Sequence, residues 1–240
     1  MARQRGKDDT RRRPKGAGGR ARNRVVHIFA EGEVTEEQYL DLVMAEGTPK
    51  NPAETAVHRV RTSSVATKDR KPLPLVDLAV AALRKAEREA EQGGLTKKHW
   101  AWPQVWVLFD RDDHKQIPTA FSRAREAGVQ VAYSHPCFEL WRLLHYKNRT
   151  VGFGGGKCHS ASSALRSQPG FAKTYGHNVR SVSEDRAKKV VLDQIKGGYA
   201  DARKFAAKLN EQHTGPDQSH WDPYTNVYEL IEDGLGLSGY

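Results

Sequence analysis

A chain of 240 residues is long enough for one large α/β domain, or for such a domain with a helical appendage. Lys and Arg number 39 against 29 Asp and Glu, and the formal net charge of +10 favours a polyanionic partner such as nucleic acid. Two cysteines imply no disulfide framework, and the chain has neither an 18-residue apolar run nor an apolar signal-peptide core. We therefore expect a cytoplasmic protein with no membrane association.

Most of the positive charge lies in the N-terminal segment 1–24. Ten Lys or Arg and two Asp give this segment a net charge of +8, which leaves only +2 for the remainder, 25–240. Because the segment is rich in like charges, Gly and Pro and has no apolar period, we predict a disordered basic tail over 1–24. Such a tail either adds salt-sensitive affinity for phosphates or serves only as a solubilising leader.

From residue 25 to residue 133 the sequence alternates predicted strands with predicted helices. Short apolar runs rich in β-branched residues predict strands, with a weaker one second in this series: 25–30, 56–61, 105–109 and 129–133. Apolar residues at helical spacing and capping signals predict helices at 35–46, 75–91 and 118–126. In the first helix, Thr35 and Gln38 match a capping box. Apolar strands that alternate with helices predict an α/β domain over 25–150, with a mostly parallel sheet flanked by helices.

Beyond Ser134 the pattern changes to one dominated by helices. We predict helices at 138–145, 160–166, 184–195, 200–212 and 226–232, with a Gly-rich loop at 152–156. The region 151–240 is therefore expected to be a helical C-terminal half that packs on the α/β domain and adds no further sheet.

Three acids follow two of the predicted strands. Glu31 comes directly after the first strand, and Asp110 and Asp112 follow the 105–109 strand. In an open parallel sheet, ligands bind at the carboxyl ends of the strands, and side chains two residues apart on a strand point the same way. If the two strands are neighbours, the three carboxylates can hold Mg²⁺ or Mn²⁺, which prefer hard oxygen ligands. The alternative is a helix-capping or surface cluster.

Further polar residues near these acids have open roles. Asp113 either binds a second ion or caps the next helix, and His114 is a candidate general base. Glu36 and Glu139 each begin a predicted helix, where an acid can contact the substrate or simply stabilise the positive helix end. Lys147 and Lys157 are candidates for binding substrate phosphates, against the alternative of a solvated surface.

Two other kinds of site fail on spacing. The segment 152–158 is Gly-rich, but a P-loop would need Gly at Val151 and Ser or Thr at Cys158. Cys137 and Cys158, with the histidines near them, do not have the spacing of paired zinc ligands.

Four motifs occur in the order typical of one known family. They are IFAEGEVTEEQY at 28–39, FDRDD at 109–113, SHPCFELWRLLH at 134–145 and DPYTNV at 222–227. These resemble the EGxxTE–Y, DxDD, S-x-P-C-F-E-x-W-x-L-L-H and N-P-x-T-x-V elements of the RloB-like family. His135 and Asp222 depart from the pattern, since both stand where Asn is expected, and this puts the details of substrate recognition in doubt.

The resemblance implies a toprim-like (Rossmann-like) domain, in which the toprim Glu is Glu31 and the DxD pair is Asp110 and Asp112. It also implies a locus of restriction or abortive infection, with an ATPase or another restriction-locus protein as partner, and it allows a homo-oligomer. The leading hypothesis is a Mg²⁺-dependent endonuclease that cleaves RNA, tRNA included, or DNA in anti-phage defence. The alternatives are a non-catalytic nucleic-acid-binding or partner-sensing subunit, and a nucleotidyl-transfer enzyme of the primase kind.

Overall fold

A computed structural model describes residues 23–54, 56–61, 65–154 and 157–240. The predicted basic tail lies outside the described residues, apart from its last two. Arg24 belongs to the fold and not to the tail, because it opens the first strand and its guanidinium donates a hydrogen bond to the Gly234 carbonyl (3.2 Å).

Five strands form the central sheet: β1 (Arg24–Ala30), β3 (Ala56–Val60), β4 (Gln104–Asp110), β5 (Gln130–His135) and β6 (Tyr224–Thr225). Their order is β3-β1-β4-β5-β6, and all neighbours are parallel except β5 and β6. Two more strands, β2 (Thr48–Pro49) and β7 (Leu237–Gly239), pair separately. The fold is therefore α/β and Rossmann-like, and β1 and β4 are neighbours as the predicted metal site requires.

Eight helices accompany the sheet in the described residues. They are α1 (Thr35–Glu46), α2 (Pro72–Gln92), α3 (Ile117–Ala127), α4 (Glu139–Leu144), α5 (Cys158–Arg166), α6 (Glu184–Ala187), α7 (Tyr199–Asn210) and α8 (Val227–Glu229), the last continuing as a π-helical turn over Leu230–Gly234.

Alternate residues of the strands pack into two hydrophobic cores, one on each face of the sheet. On β4, Trp106 and Leu108 pack with α1, α4, α7 and the C-terminal turn, whereas Val107 and Phe109 pack with α2 and α3. Burial on both faces explains why these strands are apolar throughout. The regions 25–150 and 151–240 share the first of these cores, and the second region also supplies β6 to the sheet. The expectation that it adds no sheet was wrong.

Two local predictions were also wrong, each because tertiary contacts prevail over local signals. Val34, not Thr35, is the N-cap of α1, with no side-chain cap. Thr35 instead donates to the Lys188 carbonyl (3.0 Å), and the Gln38 side chain accepts from the Val190 amide (3.0 Å). The predicted 184–195 helix stops at Ala187, where the chain turns to make these contacts.

No helix in the described part of the chain combines the length and the apolar character needed to cross a bilayer.

Candidate metal centre

The predicted site acids lie where β1 and β4 end side by side. The Glu31 amide donates to the Leu108 carbonyl (2.9 Å), so the chain stays paired for one residue beyond β1. The Glu31 carboxylate reaches across to the other strand, where its Oε2 accepts a hydrogen bond from the Asp110 amide (3.3 Å). The structure thus brings Glu31 and Asp110 together at the carboxyl edge of the sheet, as expected for a ligand site in this fold.

Asp110 is the acid with the most unusual surroundings. Its Oδ2 accepts a hydrogen bond from the Phe138 amide (3.0 Å), whereas its Oδ1 is buried and has no hydrogen-bond partner among the described residues. Burial raises the pKa of Asp110 well above its ordinary value, and the charges of Glu36, Glu31 and Glu139 raise it further. A buried carboxylate oxygen without a donor, surrounded by other acids, is a position that a bound cation stabilises.

Glu36 is the second residue of α1, and it is buried against this group. Its close approach depends on Gly32, because a Cβ atom at that position would overlap the Glu36 carboxylate. Burial, followed by the charge of Glu139, raises the pKa of Glu36 to about 7. Gly32 and Glu36 therefore act together, because the absence of a side chain at Gly32 leaves the space that the Glu36 carboxylate occupies.

Glu139 opens α4 and adds a fourth acid from the next strand–helix connection. Its Oε1 lies 3.7 Å from the buried guanidinium of Arg142, one turn later on α4. Arg142 also donates to the Ala187 carbonyl (2.8 Å) and to Gln194 (2.9 Å). Sequence reasoning missed Arg142; its spacing of three residues from Glu139 on a helix was the available signal. We refer to Glu31, Glu36, Asp110 and Glu139 as the acid cluster.

The loop after β4 places the remaining predicted residues at the rim of the cluster. Arg111 donates to the carbonyls of Asp112 (3.1 Å) and His114 (2.9 Å), which holds the loop as a turn. Asp112, at φ 30°, and Asp113 have exposed side chains. Because β4 ends at Asp110, the strand alternation expected to align Asp110 with Asp112 does not continue. Asp112 is nevertheless close enough for its charge to raise the pKa of Glu31, after the larger effect of burial.

His114 contacts the acid cluster directly. Its Nε2 lies 2.5 Å from Glu31 Oε1, and both side chains are about one-fifth exposed. His114 is thus in place to exchange a proton with Glu31, or with a water molecule beside Glu31. By contrast, Lys147 and Lys157 are exposed, and no hydrogen bond or ion pair joins either of them to the acid cluster in the part of the chain that the structure describes.

Cys137 and Cys158 are joined as a disulfide that connects the start of α5 to the turn before α4. Nothing in the spacing of the two cysteines predicts this pairing. Cys158 Sγ also lies 3.1 Å from Glu139 Oε2, so the bridge borders the acid cluster. Within the described residues, ligand atoms of Cys137, Cys158 and Glu139 are the only three that lie within 4.8 Å of one another. Glu31, Asp110 and Asp112 therefore do not form a preassembled ligand set.

The family is decided by the extent of a match along the chain. A model of the RloB-like protein family matches residues 26–233, which span all four motifs and every member of the acid cluster. The chain belongs to the RloB-like family. Neither the curated proteins nor the solved structures include a match to it.

Two positions that depart from the RloB-like motifs lie beside each other at the end of β5. Burial lowers the pKa of His135, and the charge of Asp222 is the largest effect that opposes this. Asp222 Oδ1 also accepts a hydrogen bond from the Phe153 amide (3.3 Å), which ties the Gly-rich loop to the same place. The two substitutions thus occur as an interacting His–Asp pair in this RloB-like chain.

Proposed function

We propose that this RloB-like protein is a toprim-type, Mg²⁺- or Mn²⁺-dependent endonuclease that cleaves phosphodiesters of RNA, tRNA included, or DNA in anti-phage defence. The observation that supports the proposal is the unpartnered, buried Oδ1 of Asp110, placed among Glu31, Glu36 and Glu139 at the carboxyl edge of two parallel strands of the described fold. The donor set is made of carboxylate oxygens, which suits a hard divalent cation.

In this proposal Asp110 and Glu31 are the central ligands, Asp112 joins from the rim, and Asp113 is available to a second ion. Such an ion would neutralise the phosphate and lower the pKa of bound water. Glu31 and His114 form a hydrogen-bonded pair that can accept the proton of the attacking water. Glu139 lies behind Asp110 with its carboxylate 3.7 Å from Arg142, and Glu36, whose pKa burial raises to about 7, adds negative charge there once it is deprotonated.

The test compares wild type with an Asp110→Ala/Asp112→Ala variant and with a control, Asp77→Ala/Asp201→Ala, which removes two exposed acids from α2 and α7. We would measure Mn²⁺ binding by calorimetry, and Mg²⁺-dependent cleavage of pooled tRNA, single-stranded RNA and plasmid DNA. The proposal expects the first variant to lose both properties and the control to keep both. Equal metal binding by all three proteins would show that the acids are structural.

The same experiment addresses the alternative of a non-catalytic nucleic-acid-binding or partner-sensing subunit. That alternative expects salt-dependent oligonucleotide binding without any Mg²⁺-dependent cleavage, with or without a partner protein from the same locus. Consumption of nucleoside triphosphates would instead favour the nucleotidyl-transfer alternative.

A further inference from the structure

A surface groove of about 670 Å³ lies at the C-terminal end of α5, away from the acid cluster. Arg166, Lys173, His177 and Arg180 line it together with small and amide side chains, and no acid is among the lining residues of the described groove.

The chain segment that surrounds the groove also has a positive net charge. Residues 166–189, which we call the basic segment, contain six Lys or Arg and two acids, a net charge of +4. Since residues 25–240 together carry only +2, the rest of the folded chain is slightly acidic. The basic segment is therefore more positive than residues 25–240 are on average.

Several of these cations are available to a ligand. Lys173, Arg180 and Lys189 are exposed, and no ion pair joins them to an acid in the described ranges. Arg166 differs from them, because it is partly buried, donates to the Val182 carbonyl (3.2 Å) and lies 3.9 Å from Glu184. Exposed arginine and lysine side chains without an acidic partner are suited to phosphate oxygens.

The basic segment is attached to the helices that carry the acid cluster. The Lys188 carbonyl accepts from Thr35 on α1, and the amide of Val190, which directly follows the segment, donates to Gln38 on the same helix, which also carries Glu36. The Ala187 carbonyl accepts from Arg142, the partner of Glu139. From its other side, α5 runs from Cys158, beside Glu139, to Arg166 at the groove, and its nine residues span about 13 Å. A chain of several successive phosphates can bridge this distance.

We infer that the basic segment is a nucleic-acid exosite, which binds the sugar-phosphate backbone of the substrate several nucleotides from the bond presented to the acid cluster. The inference rests on the proposed function, because it assumes that the acid cluster acts on a phosphodiester. It assigns the contact with the substrate backbone to Lys173, Arg180 and Lys189.

The test is binding of a fluorescein-labelled single-stranded RNA oligonucleotide, and of the same DNA sequence, by anisotropy in EDTA across a KCl series. The variant Lys173→Glu/Arg180→Glu is compared with Lys204→Glu/Lys208→Glu, which reverses two exposed lysines on α7. All proteins are full-length, so the N-terminal residues contribute equally, and thermal melting checks their folding.

We expect the groove variant to bind about tenfold or more weakly at about 0.1 M salt, because two phosphate contacts become repulsive. For the groove variant, the slope of log K against log salt concentration should become less steep by about 1.4. The α7 variant should bind within about twofold of wild type. Equal weakening by both variants, or by neither, would overturn the exosite. Competition by poly-glutamate as effective as that by unlabelled RNA would also overturn it.

The failure of this inference can be told from failure of the nuclease proposal, because binding in EDTA and Mg²⁺-dependent cleavage are measured separately. Weaker binding by the groove variant, combined with no Mg²⁺-dependent cleavage by wild type, would keep the basic segment as a nucleic-acid-binding surface and reject the nuclease proposal. Cleavage by wild type, combined with equal binding by the groove and α7 variants, would keep the nuclease proposal and reject the exosite.

Discussion

The acid cluster and the basic segment differ in the sign of their charges and in how far those charges are exposed to solvent. The acids are buried or partly buried and lie close together, with Arg142 near Glu139 and Glu36, and burial raises the pKa values of Glu31, Glu36 and Asp110. The cations of the basic segment are mostly exposed and spread along the whole of 166–189. Buried charges interact strongly and are little screened by salt, whereas exposed ones act additively and are screened. We therefore expect single substitutions to have large effects in the first region and small, salt-dependent effects in the second.

The largest effect is expected from Asp110→Asn, which keeps the shape and the hydrogen bond to the Phe138 amide. Cleavage should fall about a hundredfold or more, because a charged group at the reacting centre is lost. The free energy of unfolding in EDTA at neutral pH should not fall, since the charge that burial opposes has been removed. A stability loss that matches the activity loss, measured by urea denaturation, would assign Asp110 a structural role.

Cys158→Ser tests the covalent link between the turn before α4, which leads to Glu139, and the start of α5, which leads to Arg166. A disulfide that closes a loop of about 20 residues stabilises a protein by about 3 kcal/mol, so the variant should lose about this much stability under oxidising conditions. In dithiothreitol the two proteins should unfold at nearly the same urea concentration. If the difference persists in reductant, the contact of Cys158 with Glu139, and not the bridge, stabilises this region.

The raised pKa of Glu36 predicts that the stability of the protein depends on pH. Its pKa is about 7 in the folded protein against an ordinary 4.5, so the folded state binds more protons between these values. Stability should therefore decrease as pH rises from 4.5 to 7, by up to about 3 kcal/mol in the absence of metal. Glu36→Gln should lose less stability over this range than wild type. The free energy of unfolding of both proteins is measured by urea denaturation at pH 5, 6 and 7. If it changes with pH equally in the two proteins, the raised pKa of Glu36 is contradicted.

The smallest effect is expected from Lys189→Gln, because this exposed cation is one of several in the basic segment. Oligonucleotide affinity should fall about two- to threefold at about 0.1 M KCl, and the difference should shrink at about 0.5 M as screening increases. Anisotropy at the two salt concentrations measures it. A tenfold loss that survives high salt would mean that Lys189 belongs to a specific site.

The sequence predicts the acid cluster better than the basic segment for a physical reason. Continuous apolar runs identify β1 and β4, and the rule that ligands bind at the carboxyl ends of strands brings Glu31 and Asp110 together. The position of Asp112 could not be predicted in this way, because strand alternation applies only while the strand continues, and β4 stops at Asp110. The role of the Gly32–Glu36 pair also depends on contacts that no periodicity shows.

The C-terminal half is less predictable because long-range contacts determine it. The hydrogen bonds of Thr35 and Gln38 to residues 188 and 190 remove a capping box from α1 and accompany the early end of α6. Each of these segments would read as ordinary helix by itself. The disulfide and the pairing of β6 with β5 likewise join residues that are about 20 and 90 positions apart.

Gly32 offers a way to separate where a charge lies from how much charge there is. Replacing its hydrogen by a methyl group adds no polar atom and changes no ionisable residue, yet that methyl group and the Glu36 carboxylate would require the same space. Gly32→Ala therefore moves the Glu36 carboxylate without changing the charge of the protein. Glu36→Gln removes the charge and leaves the side chain where it is. Together the two variants would tell whether this glutamate matters for its location or for its charge.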